Sequence, residues 1–217
     1  MSNVPWWASE DFWRKTAIWV TAGMAVVLIV LTFDTVKVIT AGHSRVPAYE
    51  VINKRIYYRM NTKRQFQEPV IGEDAPLFGK MLSPEEAQAM VSHGKMTLQA
   101  RNCASCHTIL GNGAYYAPDL TKAWLDPAWA GEGAREMLMV KFLMDPTTNA
   151  RGFGGTRRMP NLHLTEEEAK AVVAFLKWTS AIDTSGFPRN FTPIAQEGDL
   201  GVLPRSSLAP RPLMVAS

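Results

Sequence analysis

Both cysteines of the chain lie in one short motif, Cys103-Ala104-Ser105-Cys106-His107. Two thiols at this spacing suit covalent attachment to the two vinyl groups of one porphyrin, and the adjacent imidazole is placed to ligate its iron. A zinc site would require a second pair of ligands at knuckle spacing, and a redox-active dithiol would require a βαβ context. The sequence has neither, so we predict that Cys103 and Cys106 bind one haem c and that His107 ligates the iron.

The iron of such a site needs a second axial ligand, or an open position. The candidates in the sequence are Met159, His163, His93 and Met96. Met159 precedes Pro160, and proline disfavours helical geometry in the residue before it, so Met159 is expected on a loop. His163 and His93 are expected to face solvent. Ligation by Met159 would close the sixth position, and a closed site carries electrons rather than transforming a substrate, so no catalytic site is expected on this chain.

Two predicted helices flank these residues. Ser83 and Glu86 form a capping box at the start of the first helix, and Thr165 and Glu168 repeat the pattern before the second. Gly94 costs roughly 1 kcal/mol inside the first helix, which a close helix crossing would compensate. The order of helix, haem motif, loops, Met-Pro loop and helix resembles a class I cytochrome c domain.

A membrane anchor is predicted near the N-terminus. Residues 17–33 contain no charged side chain, and residues 34–39 can extend them to the length of a span. An aromatic belt precedes this segment at Trp6, Trp7, Phe12 and Trp13. A cleaved signal peptide is the main alternative, but no small-residue cleavage site follows. The predicted fold is therefore all-α, a class I cytochrome c domain tethered by a single N-terminal transmembrane helix.

Composition excludes several other classes of protein. A net charge of +3 over 217 residues is too small to indicate nucleic-acid binding, and two cysteines exclude a disulfide scaffold. A mean hydropathy of −0.09 excludes a polytopic membrane protein. Because haem is attached to this motif outside the bacterial cytoplasm, we expect an inner-membrane protein with a cytoplasmic N-terminus and a periplasmic haem domain.

The sequence divides into five predicted segments: a cytoplasmic or interfacial N-terminus (1–16), the transmembrane helix (17–39), a periplasmic linker or insertion (40–82), the cytochrome c domain (83–186) and a Pro-rich tail (187–217). The segment 43–82 is rich in Lys and Arg. It is expected to be either a basic collar that contacts lipid headgroups or a partner, or a solvated irregular extension. The tail is expected to be extended on a partner or disordered.

Three stretches, residues 102–120, 155–160 and 175–184, together resemble the cytochrome c subunit of bacterial nitric oxide reductase. They contain the run Gly111-Asn112-Gly113-Ala114-Tyr115 after the haem motif, the Arg-Arg-Met-Pro loop and a Trp-Thr-Ser-Ala-Ile-Asp-Thr ending. The resemblance implies a small subunit bound to a large membrane subunit, which holds b-type haems and a non-haem iron and reduces NO to N₂O. It also implies electron uptake from a soluble periplasmic donor, a cytochrome c or a cupredoxin.

The resemblance also implies roles for individual residues. His107 and Met159 would be the axial ligands, and Gly113 and Tyr115 would contact a calcium ion shared with the large subunit. In addition, Arg157 and Arg158 are expected to neutralise haem propionates through charge-assisted hydrogen bonds.

Three other functions stay open at this point. The chain could be the membrane-anchored cytochrome c subunit of a terminal oxidase or of another respiratory complex. It could be a haem-based gas sensor, which requires a distal ligand that leaves when CO or NO binds. A purely structural assembly subunit would tolerate the loss of Met159.

Overall fold

The structure is a computed structural model that describes residues 5–40, 45–126, 129, 132–149 and 158–188. It forms two compact units, residues 1–45 and residues 46–217. The helices and strands are α1 (Glu10–Thr40), β1 (Lys54–Asn61), β2 (Phe66–Asp74), α2 (Pro84–Ala100), β3 (Thr108–Ile109), β4 (Asn112–Gly113), α3 (Glu132–Met144), α4 (Pro146–Asn149) and α5 (Glu166–Ser180).

The N-terminal unit consists of a short 3₁₀ turn and the helix α1. Its segment Glu10–Val38 is long and apolar enough to cross a membrane, and none of its most apolar part is buried within the chain. The helix starts before the apolar run because the Ser9 hydroxyl accepts a hydrogen bond from the Phe12 amide at 3.3 Å. The indole Nε1 of Trp13 donates to the Trp7 carbonyl at 2.6 Å, which holds the aromatic residues together ahead of the span.

In the second unit, α2 and α5 cross at Gly94. A Cβ atom on Gly94 would lie 2.0 Å from the carbonyl oxygen of Ala171, so no other residue allows this approach. Both helices begin with the predicted capping boxes, at Ser83 with Glu86 and at Thr165 with Glu168. The expected close crossing and the two helix starts are confirmed.

The apolar core lies between α2, α5, α3 and the 3₁₀ turn Ala123–Leu125. Its most deeply buried side chains come from both crossing helices and from the segments that cover them: Ile52, Leu77, Val91, Trp124, Leu125, Met139, Val172, Val173 and Leu176. Burying an aliphatic or aromatic side chain stabilises the fold by about 1.5–3 kcal/mol, so this cluster carries the unit that positions the haem motif.

The expectation of an all-α fold needs a correction, because the second unit also contains strands. β1 and β2 form an antiparallel hairpin (residues 54–74), in which Tyr58 pairs with Pro69. Along β1, Ile56 and Tyr58 are buried whereas Arg55 and Arg59 are exposed, which is the two-residue period of a strand. β3 and β4 form a second, two-residue ladder.

The same hairpin replaces the expected irregular or collar-like extension. Its basic residues are paired with acidic residues of the opposite strand: Lys54 with Asp74, Arg55 with Glu73 and Arg59 with Glu68. The Tyr58 hydroxyl donates to the Ser180 carbonyl at 3.1 Å, in the buried interior, and so attaches the hairpin to the end of α5. Residues from 46 onward therefore belong to one compact unit.

Candidate functional site

The haem motif follows α2 after a sharp reversal of the chain. Asn102 adopts the left-handed conformation with φ of 53° and ψ of 38°, which ends the helix. Cys103–Ser105 then form a 3₁₀ turn, closed by a hydrogen bond from the His107 amide to the Cys103 carbonyl at 3.0 Å. Both cysteines are half-buried free thiols. Burial raises the pKa of the Cys103 thiol.

The ring of His107 is oriented by a carbonyl group from the same loop. Its Nδ1 lies 2.7 Å from the Pro118 oxygen. Because a carbonyl can only accept, Nδ1 carries the proton and Nε2 keeps its lone pair for a metal. Metal-bound histidines typically donate their other ring N–H in this way, which sets the ring orientation and raises its basicity.

Backbone hydrogen bonds fold residues 102–121, the haem loop, around the motif. The Ala117 amide donates to the Cys106 carbonyl at 2.8 Å, and the Ala114 amide donates to the Ala104 carbonyl at 3.0 Å. The fully buried Thr108 accepts at its carbonyl from the Leu120 amide, at 2.8 Å. These bonds place the Pro118 carbonyl beside His107 although eleven residues separate them.

Gly113 has two independent reasons to be glycine. Its φ is +114°, which side chains rarely adopt, and a Cβ atom there would lie 2.2 Å from the His107 carbonyl oxygen. Gly111 has a φ of +82° but open space around its missing side chain. The loop beyond exposes Tyr115, whose side chain is 77% accessible.

The loop that carries Met159 leads directly into α5. Met159 is half-buried and Arg158 is exposed, whereas Arg157 lies outside the described residues. Arg101, just before the motif, donates to both carboxylate oxygens of Glu168 at 2.9 Å, and so ties the start of the haem loop to the start of α5. Ligation by Met159 stays a prediction.

The other candidate ligands do not lie in the haem loop. His93 is exposed on α2, and Met96 on the same helix is 61% accessible. His163 is exposed with φ of 54°, and its amide donates to the Asn161 side chain at 2.8 Å. The solvent-facing positions expected for His93 and His163 are confirmed.

Lys122, just after the haem loop, is a buried cation that the sequence reasoning did not single out. Only 1% of its surface is accessible, and its Nζ donates to the Ile182 carbonyl at 2.7 Å, beyond the end of α5. The ammonium also lies 4.8 Å from the centroid of the Tyr58 ring. Burial lowers the pKa of Lys122 to about 7, against the opposing charges of Asp183 and Asp119. No local signal distinguishes this lysine from a surface one.

The residues present fit a covalently attached haem. Two half-buried free thiols and an imidazole with a free Nε2 lie in one short segment, and the glycine beside them leaves no room for a side chain. Pro118 was missed as a functional residue, although a proline in the short run after the motif was its visible signal. Among the described residues, no group of three or more His, Cys, Asp or Glu side chains could hold a metal ion by itself.

Comparisons with known proteins support the same assignment. The sequence pattern of the cytochrome c family matches residues 91–180. The cytochrome c subunit of nitric oxide reductase from Paracoccus denitrificans is 37% identical over 117 residues, which cover 51% of this chain and 73% of that protein. The corresponding protein of Stutzerimonas stutzeri is 33% identical over 113 residues, covering 52% and 74%. That of Halomonas halodenitrificans is 33% identical over 116 residues, covering 52% and 73%. The chain belongs to the family of nitric oxide reductase cytochrome c subunits.

Proposed function

We propose that this chain carries single electrons from a soluble periplasmic donor, a cytochrome c or a cupredoxin, to a catalytic membrane subunit that reduces NO to N₂O. A haem bound at the motif would supply a one-electron iron couple. The catalytic subunit would hold the b-type haems and non-haem iron at which the N–N bond forms. This chain is then the electron-transfer part of an oxidoreductase complex.

In this proposal Cys103 and Cys106 hold one haem through thioether bonds, and His107 supplies Nε2 to the iron. Met159 supplies its sulfur from the opposite side. A thioether favours ferrous iron relative to a second imidazole and keeps small ligands off the iron. The closed site therefore argues against a gas sensor.

One observation carries the proposal: the 2.7 Å contact of His107 Nδ1 with the Pro118 carbonyl. It selects the tautomer that an iron ligand requires, and it lies beside two unpaired cysteines. The buried polar groups of the haem loop build this geometry from the backbone, so it does not depend on a mobile surface side chain.

The anchor and the cation-binding loop complete the proposal. α1 would cross the inner membrane with its N-terminus in the cytoplasm, followed by segment 40–82 and a periplasmic haem domain (83–186). Gly113 and Tyr115 would contact a calcium ion at the junction with the catalytic subunit. Arg158, together with Arg157, would neutralise haem propionates. The exposure of Tyr115 and Arg158 leaves both side chains accessible for such contacts.

The test is the variant Met159→Leu in the complex purified with its partner. Met137→Leu is the matched control, because Met137 is 54% exposed on α3 and lies far along the chain from the motif. We expect Met159→Leu to retain covalent haem, to lower its reduction potential, to bind CO when ferrous and to slow NO consumption with an external donor. Wild-type behaviour of Met159→Leu in potential and CO binding would refute ligation by this residue, and a chain without covalent haem would refute the whole proposal.

A further inference from the structure

The carbonyl that holds His107 belongs to a turn whose geometry depends on Asp119. Its Oδ1 accepts a hydrogen bond from the Thr121 amide at 2.8 Å, an Asx turn that starts immediately after Pro118. The Thr121 hydroxyl in turn accepts from the Leu110 amide at 2.7 Å. The Asp119 side chain thus stabilises the peptide unit whose oxygen faces the His107 ring.

The second carboxylate oxygen of Asp119 has no role in this turn. Oδ2 is buried and has no hydrogen-bond partner among the residues that the structure describes. A buried carboxylate oxygen left unpaired is costly, and an asparagine could make the same Asx turn without a charge. The turn therefore accounts for the shape of this residue but does not account for its charge.

The charges around Asp119 do not cancel it by direct contact. Lys122 is the nearby buried cation, but its Nζ is directed to the carbonyls of Ile182 and Ser180, at 2.7 and 3.5 Å. Asp183, on the far side of Lys122, is paired with Arg64 at 2.7 Å. The negative charge of Asp119 is thus held one peptide unit from the carbonyl that accepts the His107 proton.

We propose that Asp119 is a positioning residue for the haem ligand, which orients the Pro118 carbonyl and whose charge strengthens the hydrogen bond from His107 Nδ1. A stronger bond makes the imidazole a better donor to iron, and a nearby negative charge favours the ferric form. Both effects lower the reduction potential of the haem. The inference rests on the proposed haem site.

The test compares Asp119→Asn with Asp119→Glu in the full-length, haem-loaded chain within the complex in which it purifies. Glu167→Gln is the control, because it removes one carboxylate charge from an exposed position on α5. Optical redox titration of the haem c band gives the midpoint potential. For Asp119→Asn we expect an about tenfold higher ratio of reduced to oxidised haem at a given potential, which is about 59 mV for one electron.

Two further readouts separate charge from shape. The His107 ring signals in paramagnetic NMR should shift in Asp119→Asn, because the Nδ1 hydrogen bond weakens, while Asp119→Glu and Glu167→Gln should keep potentials close to that of the wild type. An unchanged potential in Asp119→Asn, or an equal shift in Asp119→Glu, would overturn the proposal. If Asp119→Asn takes up no haem, Asp119→Glu decides alone: a wild-type potential supports the role of charge and a raised one overturns it. A wild-type chain without haem would instead refute the proposed function.

Discussion

The haem loop and the hairpin are stabilised in different ways. In the haem loop, single backbone atoms make the decisive contacts: the Pro118 carbonyl with His107, and the bare Cα of Gly113 beneath the His107 carbonyl. In the hairpin, side chains alternate between a buried and an exposed face, and the exposed charges pair across the strands. Exposed ion pairs contribute about 0–1 kcal/mol each, so no single residue of the hairpin surface is indispensable.

The difference teaches where substitutions should matter. A site that must present one ring nitrogen cannot tolerate a displaced carbonyl, whereas a hairpin tolerates any change that preserves its period and its buried anchors. The three predictions that follow test this contrast and its junction at Lys122, from the largest effect to the smallest.

The variant Gly113→Ala should disrupt the haem loop. Its Cβ atom would lie 2.2 Å from the His107 carbonyl oxygen and 3.0 Å from the Ala104 carbonyl oxygen, at a φ unfavourable for alanine. We expect a loss of unfolding free energy of at least about 3 kcal/mol and poor covalent haem incorporation. Haem content per chain and urea denaturation measure the two effects.

Gly111→Ala is the matched control for this variant. Gly111 also has a positive φ, of +82°, but no atom lies within 4 Å of the position that a Cβ atom would take. It should therefore show only the conformational cost, about 1 kcal/mol, and retain haem. Equal effects of the two substitutions would mean that the contact with the His107 carbonyl is not what requires glycine at position 113.

The variant Lys122→Met should flatten the pH dependence of stability above neutrality. The pKa of Lys122 is lowered from 10.5 to about 7 by burial, so between these values the folded chain binds fewer protons at this group than the unfolded chain. The free energy of unfolding therefore rises with pH across this window, by up to about 1.4 kcal/mol per pH unit, and the penalty of burying the ammonium is greatest below pH 7.

Urea midpoints of the wild type and Lys122→Met at pH 7, 8 and 9 measure this slope. The control is Lys63→Met, since Lys63 is exposed in the turn of the hairpin and should leave the slope unchanged. Should Lys122→Met keep the wild-type slope, the protonation of another group would be responsible for it.

The variant Tyr58→Phe should loosen the attachment of the hairpin to α5 while leaving the haem in place. It removes the buried hydrogen bond to the Ser180 carbonyl, and we expect a loss of about 1–2 kcal/mol in unfolding free energy. Tyr57→Phe is the control, because Tyr57 lies half-buried on the opposite face of β1, over Gly72. Comparable losses for both tyrosines, or a changed haem spectrum in Tyr58→Phe, would contradict this assignment.

The helix starts and the motif could be predicted because their signals are local. A serine or threonine followed three residues later by glutamate satisfies the first amides of a helix wherever the segment lies, and both predicted boxes are present. Gly94 was predictable as a crossing point because a glycine in an amphipathic helix needs a compensating contact.

The hairpin was not predictable in the same way. Its period of two is short, and its basic residues suggested a solvated or lipid-facing segment. The acidic partners of Lys54 and Arg55 lie about twenty residues further along the chain, at Asp74 and Glu73, and become neighbours only when the strands pair. Strand stability depends on such cross-strand neighbours, which local sequence patterns do not supply.

By itself the sequence determined the covalent chemistry, because two thiols and an imidazole at fixed spacing can meet one porphyrin in any fold that exposes them. It also determined where α2 and α5 begin. Only the tertiary structure decided that the Pro118 carbonyl takes the His107 proton, that Gly113 lies against the His107 carbonyl and that Lys122 is buried. These contacts join residues distant in the chain, and packing and desolvation act on neighbours in space rather than on neighbours in sequence.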